Sequence, residues 1–331
     1  MKGQRVVWPS QATVEIEEFE IPPLRDNEVL VATECSLISP GTERAFLLGL
    51  PNAQGHYPSY PGYSNVGKVM EVGTNVSGFT SGDRVASSRG HTSHFATSPD
   101  SLIKIMDAAL SAEEAVFFNL SAISLQGVRK AKIELGEAVL VLGSGLIGLL
   151  AMQLAKLSGA FPVMSVDLAD SRLELAKAVA VDYALNPEAD DFDQRIAEIT
   201  KGKGPAVVIE ATGHPAVINT AFTLAGWCGR VVLLASTRGE TNAVNFYRDV
   251  HKKGLNVIGA HNSVRPRQES SENFWTNRDD CELALQLIAQ RRVVVAPLIS
   301  HRLRSADAAE AYRQLMEWEE NLLGVVLHWS G

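Results

Sequence analysis

Residues 139–167 read VLVLGSGLIGLLAMQLAKLSGAFPVMSVD, and this stretch decides the fold. Val139 to Leu142 form a short continuous apolar run, the pattern of a strand buried on both faces. Gly143, Gly145 and Gly148 follow in G-x-G-x-x-G spacing. The first glycine allows a tight turn, the second lets backbone approach a pyrophosphate, and the third lets helix pack closely on strand. Leu146 and Ile147 open an apolar helix-length segment whose unpaired N–H groups receive the phosphates. A second apolar run ends at Asp167, roughly 20 residues past the glycines, where a carboxylate accepts hydrogen bonds from an adenosine ribose. The same carboxylate repels a 2′-phosphate, so NAD is the expected cofactor. Arg172 falls on the next helix and is expected to cover the adenine.

Working outward, 331 residues with 46% hydrophobic and 21% charged side chains describe an ordinary globular chain of about two domains. A net charge of −8 argues against sequence-independent binding to nucleic acid or to an anionic membrane. The N-terminal sequence has no signal-peptide pattern, so a cytoplasmic protein with no membrane partner is expected. Cys35, Cys228 and Cys281 lie far apart with no C-x-x-C, which excludes a disulfide framework and a cysteine-rich zinc lobe.

Residues 1–105 carry short β-type runs, EVLVAT, NVGKVMEVG and GDRVA, broken by Gly, Pro, Asn and Ser. Ser111 caps a helical stretch extending towards Ala131. From Ala138 strands and helices alternate through AVVIEATG, GRVVLLAST and LNVIGAH, which predicts a parallel sheet. Its ligand belongs at the carboxyl ends of the strands, where Thr212, Ser236 and His261 fall. A polar segment at 262–280 breaks the alternation. The closing GVVLHW reads as a return to the first domain.

With these segments in place, the chain resembles the medium-chain dehydrogenase/reductase superfamily over nearly its whole length. EVLVATECSLISPGTE, PGYSNVGKVMEVG, SGDRV and LISHRLRSADAAEAY carry the resemblance together with GSGLIG. It implies an α/β architecture: a GroES-like β-rich catalytic domain over 1–124 and 266–331, and a Rossmann doubly wound parallel sheet over 125–265. Two segments, SLISPGTERAFLLG and YPGYSNVG, are similar to bacteriochlorophyllide 3-hydroxyethyl dehydrogenase-type proteins. Zinc-dependent relatives carry Cys where this chain has Leu37-Ile38-Ser39, and Gly-His-Glu where it has Gly62-Tyr63-Ser64. Tyr, Ser and Ile do not supply the ligands that hold zinc tetrahedrally, so no metal is expected.

Hydride transfer then needs a protein group to handle the hydroxyl proton and to stabilise developing alkoxide charge. The resemblance puts Tyr63 there, with Glu43 orienting it and Ser39 and His261 as further catalytic candidates. His56, Tyr57, Tyr60, Ser64, Phe274 and Trp275 are expected to line the substrate pocket. Arg265 and Arg267 are read either as holding an anionic substrate group or, in the preferred reading, as a solvated loop, and His91 and His94 as structural. The expected reaction interconverts a secondary alcohol of a sugar, polyol or ring system and its ketone. An enoyl or quinone reductase using NAD(P)H, or a non-catalytic NAD-binding protein, are the alternatives. Relatives pair the last Rossmann strand across a two-fold axis, so a homodimer or dimer of dimers is expected.

Overall fold

The chain divides into one unit made of residues 1–119 and 281–331 and another of residues 120–280. The computed structural model describes residues 1–271, 274–317, 319 and 321–329. Asp280, tied to Arg129 and Arg265, lies in the second unit.

The first unit is mostly antiparallel. Strands β1 (Lys2–Val7) and β2 (Glu15–Glu20) form a ribbon. The next strands are β3 (Val29–Ile38), β4 (Asn65–Val72), β5 (Arg84–Ser87), β6 (His94–Thr97) and β7 (Leu102–Lys104). The long β3 bulges against β4 near Val31 and near Cys35, which bends it and lets it serve two partners along its length. It also pairs with β6. Helix α1 (Pro40–Leu47) follows β3 and α2 (Ala112–Ala115) follows β7. Ser111 caps α2 as its sequence position predicts, its hydroxyl accepting the Glu114 N–H.

In the second unit, α3 (Phe118–Ala131) leads into β8 (Val139–Leu142), α4 (Leu146–Leu157), β9 (Val163–Val166), α5 (Asp170–Val179) and β10 (Tyr183–Leu185). Then come α6 (Phe192–Ile199), β11 (Val207–Glu210), α7 (Val217–Leu224), β12 (Arg230–Leu233) and β13 (Asn256–Gly259). All pairings are parallel, in the order β10-β9-β8-β11-β12-β13. This is the doubly wound dinucleotide-binding order, with its switch point between β8 and β11. Leu142 is level with Val166 and Glu210, Glu210 with Leu233, and Leu233 with Gly259. Five strands therefore end on one line, and the loops that follow them form one edge. The VLVL run of β8 is fully buried, as a central strand covered on both faces must be.

The last elements are α8 (Asn277–Ala289), β14 (Ile299–Arg304), α9 (Ala308–Met316) and β15 (Gly324–His328). The last strand pairs antiparallel with β3, Val325 opposite Ile38, and returns the C-terminus to the first unit. Tyr312 of α9 and Ile38 share a core with Val6, Trp8 and Leu47. Ile38 is thus a core residue 1% exposed.

Candidate functional site

The second unit builds a dinucleotide cradle from the glycine turn. Gly143 sits at φ +97°, and a Cβ there would press on Thr212. A Cβ on Gly148 would lie 1.8 Å from the Gly143 carbonyl oxygen, so α4 can approach β8 only through glycine. A Cβ on Gly145 would meet nothing within 4 Å. It would instead project into the open space where a pyrophosphate approaches. Gly145 precedes α4 without any side-chain cap, leaving the N–H groups of Leu146, Ile147 and Gly148 for an anion. Asp167 closes the turn: its two oxygens accept the Ser144 N–H at 2.6 Å and the Ala169 N–H at 3.0 Å. Each carboxylate oxygen retains a lone pair for a ribose hydroxyl. Arg172 sits in the first turn of α5, on the helix that follows Asp167. These residues fit a nicotinamide dinucleotide.

Thr212 and Ser236 lie on the same edge. Gly213 has φ +70°, and a Cβ there would press on the Ser236 carbonyl, which brings the loops after β11 and β12 together. The Thr212 hydroxyl donates to Glu210, a residue the sequence reading missed. The Glu210 side chain is fully buried, one oxygen accepting the N–H groups of Thr212 and Gly213 at 2.7 and 3.0 Å. Burial pushes its carboxyl above the usual range despite those donors. His261 follows β13, with its carbonyl held by Gln126. Its Nδ1 faces the Ser263 hydroxyl at 2.7 Å and accepts the Ser263 N–H at 3.2 Å. That nitrogen is occupied by its own loop.

In the first unit a polar network surrounds Tyr63. Its hydroxyl donates to Ser39 Oγ, and its carbonyl accepts from Asn119. Ser39 precedes α1 yet does not cap it with its side chain. The Glu43 carboxylate instead reaches back to the Ser39 N–H at 2.7 Å, one residue later than a capping box would place it. The Ser39 hydroxyl is thereby free for Tyr63. The other Glu43 oxygen accepts the Tyr312 hydroxyl and faces His91 Nε2 at 3.0 Å. The Trp329 indole N–H donates to Ser36 Oγ at 2.8 Å, and that oxygen lies 2.8 Å from His91 Nδ1. Assigning the His91 proton to Nε2 satisfies every member of this chain. Burial first, and then the Glu43 carboxylate, drive the Tyr312 phenol far above its ordinary pKa. It therefore remains a donor.

Two expectations need correction here. Glu43 does not orient Tyr63 directly; it fixes the Ser39 backbone and the His91–Tyr312 pair. Ser64 lines no pocket: it is fully buried and donates to the Val116 carbonyl. His91, read as structural, meets Ser36 and Glu43 through its two ring nitrogens, and Gly62 at φ +95° wraps it where any Cβ would collide. Among the other pocket candidates, the Tyr57 hydroxyl donates to the Phe46 and Leu47 carbonyls at the end of α1, so it is a packing residue. Tyr60 lies under Arg5 at 3.9 Å and His56 is exposed. Phe274 and Trp275 belong to the second unit, the Trp275 ring covered by Arg129 at 3.9 Å.

The metal-ligand positions do not fit zinc. Ile38 is core, Tyr63 is bonded to Ser39, and Ser64 is committed to a carbonyl. Among the described residues, no three His, Cys, Asp or Glu side chains converge as a metal-binding group. Cys35 lies 3.5 Å from His328, and burial, with help from Glu113 and Glu34, pushes its thiol up to about 12. A thiol so held is protonated and a poor metal ligand. No helix among the described residues is long and apolar enough to cross a membrane.

Comparison with known proteins places these two units. The family described as "Alcohol dehydrogenase GroES-like domain" matches residues 25–112, and "Zinc-binding dehydrogenase" matches residues 147–277. An L-threonine 3-dehydrogenase of Pyrococcus abyssi is 27% identical, with 91% of each chain covered. A D-guloside 3-dehydrogenase of Shigella flexneri is 26% identical over 76% of this chain and 72% of its own. A solved Sinorhizobium meliloti protein bound to NADP has the same fold, with a TM-score of 0.84 at 22% identity and 99% of each chain covered.

Proposed function

We infer from the two matching family models that the chain belongs to the medium-chain dehydrogenase superfamily, as an alcohol-dehydrogenase-like oxidoreductase with a nicotinamide cofactor. We propose that within it this protein oxidises a secondary alcohol of a sugar, polyol or ring system to the ketone, with NAD and without zinc. The observation that carries the redox reading is the cradle of Gly143, Gly145 and Gly148 closed by Asp167. Relatives named for threonine and guloside oxidation support an alcohol substrate. The ring alcohol rests on the two short segments similar to bacteriochlorophyllide-type dehydrogenases. When bound, the nicotinamide supplies the hydride acceptor. The chain supplies the proton: in ketone reduction the Tyr63 phenol donates it to the carbonyl oxygen, in alcohol oxidation the Tyr63 phenolate takes it back, and Ser39, its backbone held by Glu43, orients the phenol by accepting its hydrogen bond. The working compartment in this reading is the cytoplasm. A panel of polyols, sugars and ring alcohols followed at the NADH absorbance tests the proposal. Absence of substrate-dependent NADH formation across the panel would count against it.

Asp167 makes the cofactor choice measurable. NAD is expected to bind at least about tenfold tighter than NADP, or ~1.4 kcal/mol. Asp167→Ser is expected to narrow that gap. Equal affinities in fluorescence titrations of the wild-type protein would refute the NAD assignment.

Metal independence follows from the donor set. Elemental analysis of purified protein is expected to find far less than one zinc per chain, with turnover surviving a strong chelator. Stoichiometric zinc would overturn both this assignment and the Tyr63 proton route.

Assembly is proposed on β13, the last strand of its sheet, whose Val257 is 43% exposed. An exposed apolar edge invites a second strand, and a two-fold axis would join two sheets there. Sedimentation at micromolar concentration is expected to give a dimer or a dimer of dimers. A monomer would exclude this edge as a stable interface.

A further inference from the structure

Beyond β13, residues of 262–268 and 276–279 shape a cleft of about 460 Å³, lined by Asn262, Ser263, Arg265, Arg267, Thr276 and Arg278 among others. That volume suits a small molecule. The sequence reading took these arginines for a solvated loop, and Arg265 is the opposite. Its side chain is 5% exposed, with terminal nitrogens on the Asp280 carboxylate and the Ala122 carbonyl. Its Nε has no partner. Asp280, 1% exposed, also accepts from Arg129 Nε at 2.9 Å. One buried carboxylate therefore serves two guanidinium groups, and Asp279, held below the usual carboxylate range by its hydroxyl donors and by Arg278 and Arg129, adds a second negative charge, so among the described residues the excess positive charge rests on Arg267. Asp279, also on the cleft, is occupied by the Ser270 and Thr276 hydroxyls.

Two further features point to an oxyanion. Arg267 is exposed on the cleft and makes no hydrogen bond or ion pair among the described residues. The 13-residue helix α8 begins at Asn277, and its positive dipole end lies at the cleft wall, where Thr276 Oγ1 already accepts the Asp279 N–H at 3.1 Å. Asn277 Oδ1 is buried without a donor, which suits a ligand hydroxyl.

We propose that this cleft is a binding site for a small phosphorylated, hydroxylated molecule, a polyol or sugar phosphate. Arg267, the fixed Arg265 charge and the α8 N-terminus receive the phosphate, and Asn277 receives a hydroxyl. The proposal concerns binding alone, so its failure leaves the dehydrogenase reading standing, and the converse holds as well.

The test is calorimetry on the full chain with inorganic phosphate, a hexitol phosphate and the unphosphorylated hexitol. Saturating NAD occupies the glycine turn. The hexitol phosphate is expected to bind saturably, and Arg267→Ala to weaken it at least about tenfold, as loss of a charge-assisted contact would. The plain hexitol should give no heat at the same concentration. Arg25→Ala, at an exposed site in the first unit, should bind as the wild type does. Inorganic phosphate matching the hexitol phosphate would identify free phosphate as the source; a tighter hexitol phosphate would identify the ester. Since Arg267 supports no structure, its variant should fold normally, as circular dichroism would show. No saturable binding of either phosphate, or binding unchanged in Arg267→Ala, would overturn the proposal.

Discussion

Tyr63→Phe is expected to lower turnover by about 10²- to 10⁴-fold, the range a positioned acid–base group contributes. NAD affinity should barely change, because the cradle is built wholly from the second unit. The ring and its packing are kept. The lost element is the hydroxyl that donates to Ser39, and leaving the Ser39 oxygen without that donor costs only about 1 kcal/mol of stability. Ser39→Ala tests the same path from the other end. It keeps the Glu43 contact to the Ser39 amide but removes the acceptor of the phenol proton. Initial rates on an alcohol found in the panel, with cofactor dissociation constants measured in parallel, separate chemistry from binding. Retention of most activity in Tyr63→Phe, together with its loss in His261→Ala, would move the proton route to the end of β13.

The second large effect is on stability. Glu43 is 3% exposed and its carboxylate faces three donors, the nearby Ser39 amide and, from distant parts of the chain, His91 and Tyr312. Glu43→Ala strands all three in a dry interior and leaves a cavity. A loss of about 3–5 kcal/mol is expected, by analogy with breaking a buried charged pair. For a domain of this size the melting temperature should fall on the order of 10 °C. Glu43→Gln keeps the shape but presents an amide N–H₂ to groups that are themselves donors, so a smaller loss is expected. Turnover in that variant should fall about 10- to 100-fold, as removal of an orienting partner does elsewhere. A thermal shift below 2 °C in Glu43→Ala would contradict the assigned network, on the same scale of about 2–4 °C per kcal/mol.

Much of the second unit is legible in the sequence because its signals are local. The G-x-G-x-x-G turn, the apolar run before it and the acid after it lie within 139–167, and Gly148 is needed for a contact made inside that same stretch, with the Gly143 carbonyl. Strand–helix alternation likewise implies parallel pairing, since only a crossover can join parallel neighbours. Ser111 is readable as a cap for the same reason: its acceptor role is settled three residues away.

What Glu43 does could not be read this way. Its carboxylate is within a turn of Ser39, but His91 lies 48 residues away and Tyr312 lies 269 residues away. Those partners meet only because β15 and α9 carry the C-terminus back onto β3 and the core around Ile38. The resemblance therefore pointed Glu43 at Tyr63, while the fold gives it to a histidine with no local signature. Asp280 poses the same problem. Nothing beside it in sequence announces two guanidinium partners, one of them 151 residues earlier. Sequence by itself settles features whose physics closes within one strand–turn–helix. Only the tertiary structure decides which buried charge satisfies which, because the cost of an unpaired polar group is assessed across every element packed around it.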